Sequence, residues 1–257
     1  MQNSEIGAKT EKPRVVAILQ ARMASTRLPN KVLTDIIGQP MLGLIMARLQ
    51  QAQLVDEFVI ATTDLPEDQQ IEDFAYTSGL ACFRGSRDDL TDRYFRAATT
   101  HHADVVVRLT ADNPLIDAGF LNWAVAEHLA GMPSYDYVDT VHSKTFPLGM
   151  SVEVMGFAAL ETAWNEDTNK AWREHCTPFI YYHPERFRLR HLSAPDNYSH
   201  MRWTVDTPED LAFVRQIYGH FGHSHFNWQD VIALLALHPE WSDINRDIVQ
   251  KQLTDAK

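Results

Sequence analysis

Cysteine is almost absent from this chain. Its two cysteines, Cys82 and Cys176, lie far apart and form no CxxC pair. That argues against a disulfide framework or a thiolate zinc knuckle and fits a reducing, cytoplasmic setting. No apolar run approaches the ~20 residues needed to cross a bilayer. The opening MQNSEIGAKTEK is polar, so residues 1–12 read as a flexible leader rather than a secretory segment, and no membrane insertion is expected. Internal repeats and low-complexity stretches are missing. So are GxGxxG and GxxxxGK[ST], which excludes a dinucleotide fingerprint and a Walker loop. No Ser-His-Asp or Cys-His arrangement suggests a protein nucleophile. Positive charge is also in deficit, with Lys+Arg 23 against Asp+Glu 34 and a net charge of -11. An acidic surface of this kind does not attract nucleic acid broadly, so any phosphate partner must be held in a local basic pocket.

What is present suffices for one large core: 257 residues, 45% hydrophobic. Short apolar runs at Val15–Leu19, Phe58–Ala61, Cys82–Phe83 and Val105–Leu109 read as buried strands. They alternate with helical spacing over 41–52, from Pro66, and over 89–102. This pattern predicts an α/β fold with a mostly parallel, Rossmann-like sheet flanked by helices. The second half is less regular. Tyr135–Asp139, Ser151–Met155, Phe187–Leu192 and Arg202–Val205 read as strands, the first two antiparallel. Residues 170–182, 226–236 and 243–253 read as helices. Residues 13–257 form a single expected domain, in which about 140–200 is an irregular, β-containing insertion.

The most informative segment is Gln20–Lys31, QARMASTRLPNK, which follows the first strand. It carries Arg22, Arg27 and Lys31 with the hydroxyls of Ser25 and Thr26. Ligands of open α/β sheets bind at that carboxyl edge. Arginine forks, a lysine point charge and hydroxyl donors suit a triphosphate, whose charge grows on the leaving pyrophosphate. The bland alternative is a solvated basic loop. Two carboxylates stand at comparable edges. Asp112 follows the fourth strand in RLTADNPLID, and Asp206 lies in WTVDTPEDL. Each is a candidate Mg²⁺ ligand, because Mg²⁺ takes few carboxylates beside phosphate oxygens. Each is also explicable locally, Asp112 as a turn residue and Asp206 or Thr207 as a helix cap.

The run AILQARMASTRLPNKVL resembles the opening signature of the cytidylyltransferases that make CMP-activated acidic sugars. That family includes the 3-deoxy-manno-octulosonate and acylneuraminate enzymes. The branch named for spore-coat polysaccharide biosynthesis is the most similar. RLTADNPLID and VDTPEDL resemble later family segments in the right order. The resemblance spans about residues 14–218 and implies a nucleotide-diphospho-sugar transferase-type fold. It implies nucleotide contacts at Gln20, Ala21, Arg22, Ser25, Arg27, Lys31, Thr91, Asp92 and Arg93, with Asp92 orienting Arg93. Arg22, Lys31 and Asp112 become the catalytic candidates, and Asp112 and Asp206 the Mg²⁺ ligands. The implied substrates are CTP and an acidic sugar, used for surface polysaccharide or glycan synthesis, and the implied assembly is a homodimer formed through 140–200.

Glu153, Arg173 and Arg202, with Lys144, are the acceptor-binding candidates. Ser151 stands where relatives often carry aspartate, which points to a different acceptor preference. Ala24 and Asn30 stand where glycine is frequent. Asn30 suits a left-handed backbone, and Ala24 is tolerated if its φ is negative. His220, His223 and His225 have a metal-like spacing but sit at a helix end, where the dipole alone favours histidine. Two other classes remain open: a glycosyltransferase, which would need a DxD pair that Asp112-Asn113-Pro114 does not supply, and a catalytically silent nucleotide-binding partner protein.

Overall fold

The structure is a computed structural model that describes residues 12–130 and 135–250. Most of the expected leader and the last residues of the expected 243–253 helix lie outside the described residues. The elements in chain order are β1 (Val15–Gln20), β2 (Asp35–Ile36), β3 (Gln39–Pro40), α1 (Met41–Leu49), β4 (Glu57–Thr63), α2 (Gln69–Thr77), β5 (Ala81–Gly85), α3 (Leu90–Thr100), β6 (Val105–Thr110) and α4 (Ala118–Ala130). They continue with β7 (Tyr137–Asp139), β8 (Glu153–Gly156), α5 (Phe157–Glu166), α6 (Lys170–Arg173), α7 (Pro178–Tyr181), β9 (Leu189–His191), α8 (Pro208–Phe221) and α9 (Trp228–Leu237).

The main sheet has seven strands in the order β5-β4-β1-β6-β8-β7-β9. Every pairing is parallel except those of β8, which runs against both neighbours. β1 is apolar on both faces because both are covered. Val15, Ala17 and Leu19 join one core layer with α1, α4, α8 and α9. Val16 and Ile18 join the opposite layer with α3, α5 and α7. Register places Ile18, Arg108, Glu153, Asp139 and His191 side by side across five strands. In-register neighbours point to the same face, so Arg108, Glu153, Asp139 and His191 form a row of polar groups across β6, β8, β7 and β9.

The mostly parallel α/β architecture and the antiparallel pairing of the two later strands follow the expectation. Three local readings are corrected. Arg202–Val205 is not a strand, only an isolated bridge between Leu148 and Arg202. Its backbone bonds to turns instead: Trp203 N–H donates to Leu148 O at 2.7 Å and Val205 N–H to Asp112 O at 2.8 Å. The helix over 170–182 divides into α6 and α7, because Cys176 adopts a left-handed φ of 70° between them. After α9 the chain makes a 3₁₀ turn at Pro239–Asp243 and is not helical from there to residue 250. Helices α4 and α5 escaped the sequence reading. α4 is apolar almost all round, which hides the period that marks a surface helix.

Candidate active site

The loop after β1 is pinned from below. Asp68, buried on the turn into α2, accepts the Met23 N–H at 2.6 Å and the Thr63 hydroxyl. Asn30 N–H donates back to Met23 O at 3.2 Å, and Asn30 takes a left-handed φ of 57°. Ala24 is not among the positive-φ residues, as its tolerance required. The turn at Asn30 starts the short helical segment Lys31–Leu33 and aims Lys31 across the sheet edge.

There Lys31 meets both remote carboxylates. Its Nζ donates to Asp112 Oδ2 at 3.1 Å, to Asp206 Oδ1 at 2.8 Å and to Val205 O at 2.8 Å. Arg27 Nη2 lies 2.9 Å from Asp206 Oδ2, and Arg202 Nη2 donates to the same oxygen at 3.0 Å. Thr110 Oγ1 donates to Asp112 Oδ1 at 2.6 Å. Asp206 is free for this because Thr207 caps α8, in a reciprocal capping box with Asp210. Burial opposes charge on Lys31, yet the two carboxylates outweigh it and its pKa rises. Burial likewise opposes charge on Asp206, and Lys31, Arg27 and Arg202 together pull its pKa down. Both stay ionised at neutral pH.

Two further cations stand on α3 and on the loop after β1. Arg93, on α3, is 4% exposed, and its Nε and Nη1 have no hydrogen-bond partner among the described residues. Gly85 admits it: a Cβ there would sit 3.2 Å from Arg93 Cγ. Burial lowers the Arg93 pKa; Tyr94 and Asp68 oppose that shift, and the charge of Arg22 adds to it. Arg22 is exposed and makes no ion pair among the described residues. A buried guanidinium with idle donors, and an exposed one without an ion pair among the described residues, are groups that could receive an anion. Gln20 Oε1 is 3.2 Å from the Tyr94 hydroxyl, and Ala21 N–H is tied to Ala61 O. Ser25 Oγ faces Leu28 N at 3.4 Å, and Thr91 is buried below Arg173 O.

Other expected roles shift. Asp92 does not orient Arg93. It accepts from Trp164 Nε1 and Arg96 Nε, each at 2.9 Å, because successive helix residues do not face each other. Arg173 is not a free cation for an acceptor. Its Nε donates to Asp89 Oδ2 at 2.8 Å and its Nη1 to Trp164 O and Asp167 O, both at 3.0 Å. Arg202 is buried and supports the carboxylates, bonding Asp210 through Nε at 2.8 Å and through Nη2 at 2.9 Å. Glu153 is buried and spent on Arg108, the Tyr137 hydroxyl and Thr177 Oγ1. Of the acceptor candidates, Lys144 is exposed. His220, His223 and His225 form no three-ligand group; His223 Nδ1 instead accepts the His225 N–H at 3.1 Å.

Sequence reasoning missed Asp68, Tyr94 and Arg108. The signal for Arg108 was a charge inside an apolar strand. Asp68 gave none, since an aspartate behind a helix-opening proline looks like any cap.

A cationic turn after β1 and two carboxylates at one sheet edge define an α/β nucleotidyltransferase. The family model described as "Cytidylyltransferase" matches residues 16–230. The spore coat polysaccharide biosynthesis protein SpsF of Bacillus subtilis is 30% identical, over 88% of this chain and 95% of that protein. A solved cytidylyltransferase from Leptospira borgpetersenii is 30% identical, with a TM-score of 0.87, covering 94% of this chain and all of that one. A CMP:2-keto-3-deoxy-manno-octonic acid synthetase complexed with CTP shares the fold, with a TM-score of 0.61, 18% identity, and coverage of 80% and 99%. The chain belongs to the cytidylyltransferase family and is a CTP-dependent nucleotidyltransferase. Among the described residues no helix is long and apolar enough to cross a membrane.

Proposed function

We propose that this enzyme transfers CMP from CTP to a hydroxyl of an acidic sugar, with Mg²⁺ as its metal, and that the product feeds polysaccharide synthesis. The observation that carries this reading is the convergence of Lys31, Asp112 and Asp206 on one point. The names of the relatives support the acceptor class: one acts in spore coat polysaccharide biosynthesis, another is a synthetase for a keto-deoxy sugar acid.

The donor set fits Mg²⁺. Both carboxylates reach a single cationic atom, at 3.1 and 2.8 Å, and both are hard oxygen ligands. Asp112 and Asp206 would hold the ion, which supplies charge neutralisation at the phosphate oxygens. The protein's own cations do the rest. Arg22 and Arg93 bind phosphate oxygens of CTP, and Arg93 spends donors that otherwise lack partners. Lys31 and Arg27 turn from the carboxylates toward the triphosphate. The acceptor hydroxyl attacks the α-phosphorus in line: a new P–O bond forms, the bond to pyrophosphate breaks, and the hydroxyl proton passes to solvent.

The acceptor lies over 140–200, where Ser151 and Lys144 stand and where His175 feels the charges of Arg108 and Arg22. Burial and those cations lower the His175 pKa, so a neutral imidazole can hydrogen-bond a sugar hydroxyl at pH 7. The same region pairs two copies into a homodimer; Val141 and Tyr182 there are exposed apolar residues.

The test is pyrophosphate release, with each of the four nucleoside triphosphates against a panel of sugar acids, with and without Mg²⁺. Turnover is expected with CTP, one class of sugar acid and Mg²⁺. Equal rates with UTP, or release that no sugar acid stimulates, would refute the assignment.

A further inference from the structure

We propose that Asp139, His142 and His191 form a separate divalent-cation site, suited to Zn²⁺, at the outer end of the sheet. It borders the 140–200 region that the proposed function gives to the acceptor, but it does not depend on that reading. Asp139 ends β7 and pairs in register with His191 on β9. The chain then turns back on the Asp139 carboxylate, with the Val141 and His142 N–H groups each donating to Oδ1 at 2.7 Å. That turn brings His142 Nδ1 to 3.0 Å from Oδ1, while His191 Nδ1 lies 2.5 Å from Oδ2. One ligand atom from each of the three residues falls within 4.8 Å of the others, and no other such group occurs among the described residues.

The chemistry favours an ion over an internal pair. Asp139 is 0% exposed, and no Lys or Arg pairs with it among the described residues. A buried carboxylate without a fixed cation is costly; burial opposes charge on His142 although Asp139 raises its pKa, and an imidazole offsets the carboxylate only while it carries a proton. A divalent cation offsets it. Two imidazole nitrogens and one carboxylate oxygen exclude Mg²⁺, which wants oxygen, and suit Zn²⁺. Neighbouring ligand atoms around tetrahedral Zn²⁺ lie about 3.3 Å apart, so each imidazole need retreat by less than an ångström. The His142 and His191 side chains are 31% and 40% exposed, which leaves an entry path and a fourth position for water or an anion. The Tyr181 ring, 4.3 Å from that of His142, walls the other side. Such an ion would clamp the 140–150 loop to β9.

The experiment titrates Co²⁺ into the untagged full-length protein, freed of metal and without nucleotide. Its readouts are the visible absorption of low-symmetry Co²⁺ and the thermal midpoint with added Zn²⁺. Expected are one equivalent of absorbing Co²⁺ and a rise of several degrees with Zn²⁺, both retained in Asp112→Asn. Both should vanish in His142→Ala, His191→Ala and the isosteric Asp139→Asn, with circular dichroism checking that each variant folds. Absorption that survives the histidine substitutions places the ion elsewhere and overturns the proposal. So does a wild-type midpoint that ignores Zn²⁺ but climbs as pH falls from 8 to 6, which would mean the cluster is an imidazolium–carboxylate pair. Should His191→Ala not fold, the response of Asp139→Asn decides.

Discussion

Lys31 separates two carboxylates that would otherwise face each other across a partly buried gap. Lys31→Ala is expected to keep the fold, since Arg27 and Arg202 still neutralise Asp206, and to cut pyrophosphate release by about 10²–10³-fold, the loss typical of one electrostatic donor. Near-wild-type rates would remove Lys31 from the site. Arg93 makes a sharper case. Its buried guanidinium has idle donors, so the free protein bears its desolvation without return. Arg93→Met should therefore leave urea stability unchanged or raise it, while weakening CTP binding at least tenfold by calorimetry. A destabilised variant with normal CTP affinity would show that Arg93 serves packing. The meeting of Lys31 with Asp112 and Asp206 was legible from three segments at strand ends, whereas Arg93, on α3, came only from the family resemblance. Arg173 and Arg202 were misread because a cation that orders helices and one that meets a substrate look alike in sequence. Only Asp89 and Asp210, distant or hidden in a cap, decide between the two.

Between elements, one tight fit is the turn at Gly149. Its φ is +111°, and a Cβ would lie 2.6 Å from Thr204 N, so this loop leans directly on the segment that carries Asp206. Gly149→Ala is expected to cost about 2–3 kcal/mol through backbone strain and overlap, read by urea denaturation, and to lower turnover because Asp206 shifts. Full stability would mean that the loop is free to move aside. The first half of the sheet was readable because βαβ units repeat short apolar runs at regular intervals. Past β6 that rhythm stops. β8 enters reversed between β6 and β7, and the 201–206 segment bonds to loops rather than to a strand. The pairing of Asp139 with His191 depends on register across a long separation and leaves no spacing to find.

The whole chain also carries a pH signature remote from the site. His128, on α4, is fully buried, and burial pushes its pKa down to about 4. The unfolded chain takes up a proton near pH 6.5 and the folded chain does not, so stability falls as pH drops from about 6.5 to about 4, by up to ~3 kcal/mol. His128→Leu should flatten that slope in denaturant titrations at pH 7, 5.5 and 4.5; an unchanged slope would assign it to other groups. At the other end of the molecule, the ammonium lodged between Asp112 and Asp206 imposes an order of arrival. On the proposed Mg²⁺ reading, a bare ion would have to evict a tethered rival, whereas one escorted by a triphosphate would find Lys31 already lured toward the incoming anion. Calorimetry with Mg²⁺ alone should thus give far weaker uptake than with the Mg²⁺–CTP complex, and Lys31→Ala should narrow that gap. On that reading the resting enzyme would keep its own doorway plugged until a complete guest appears.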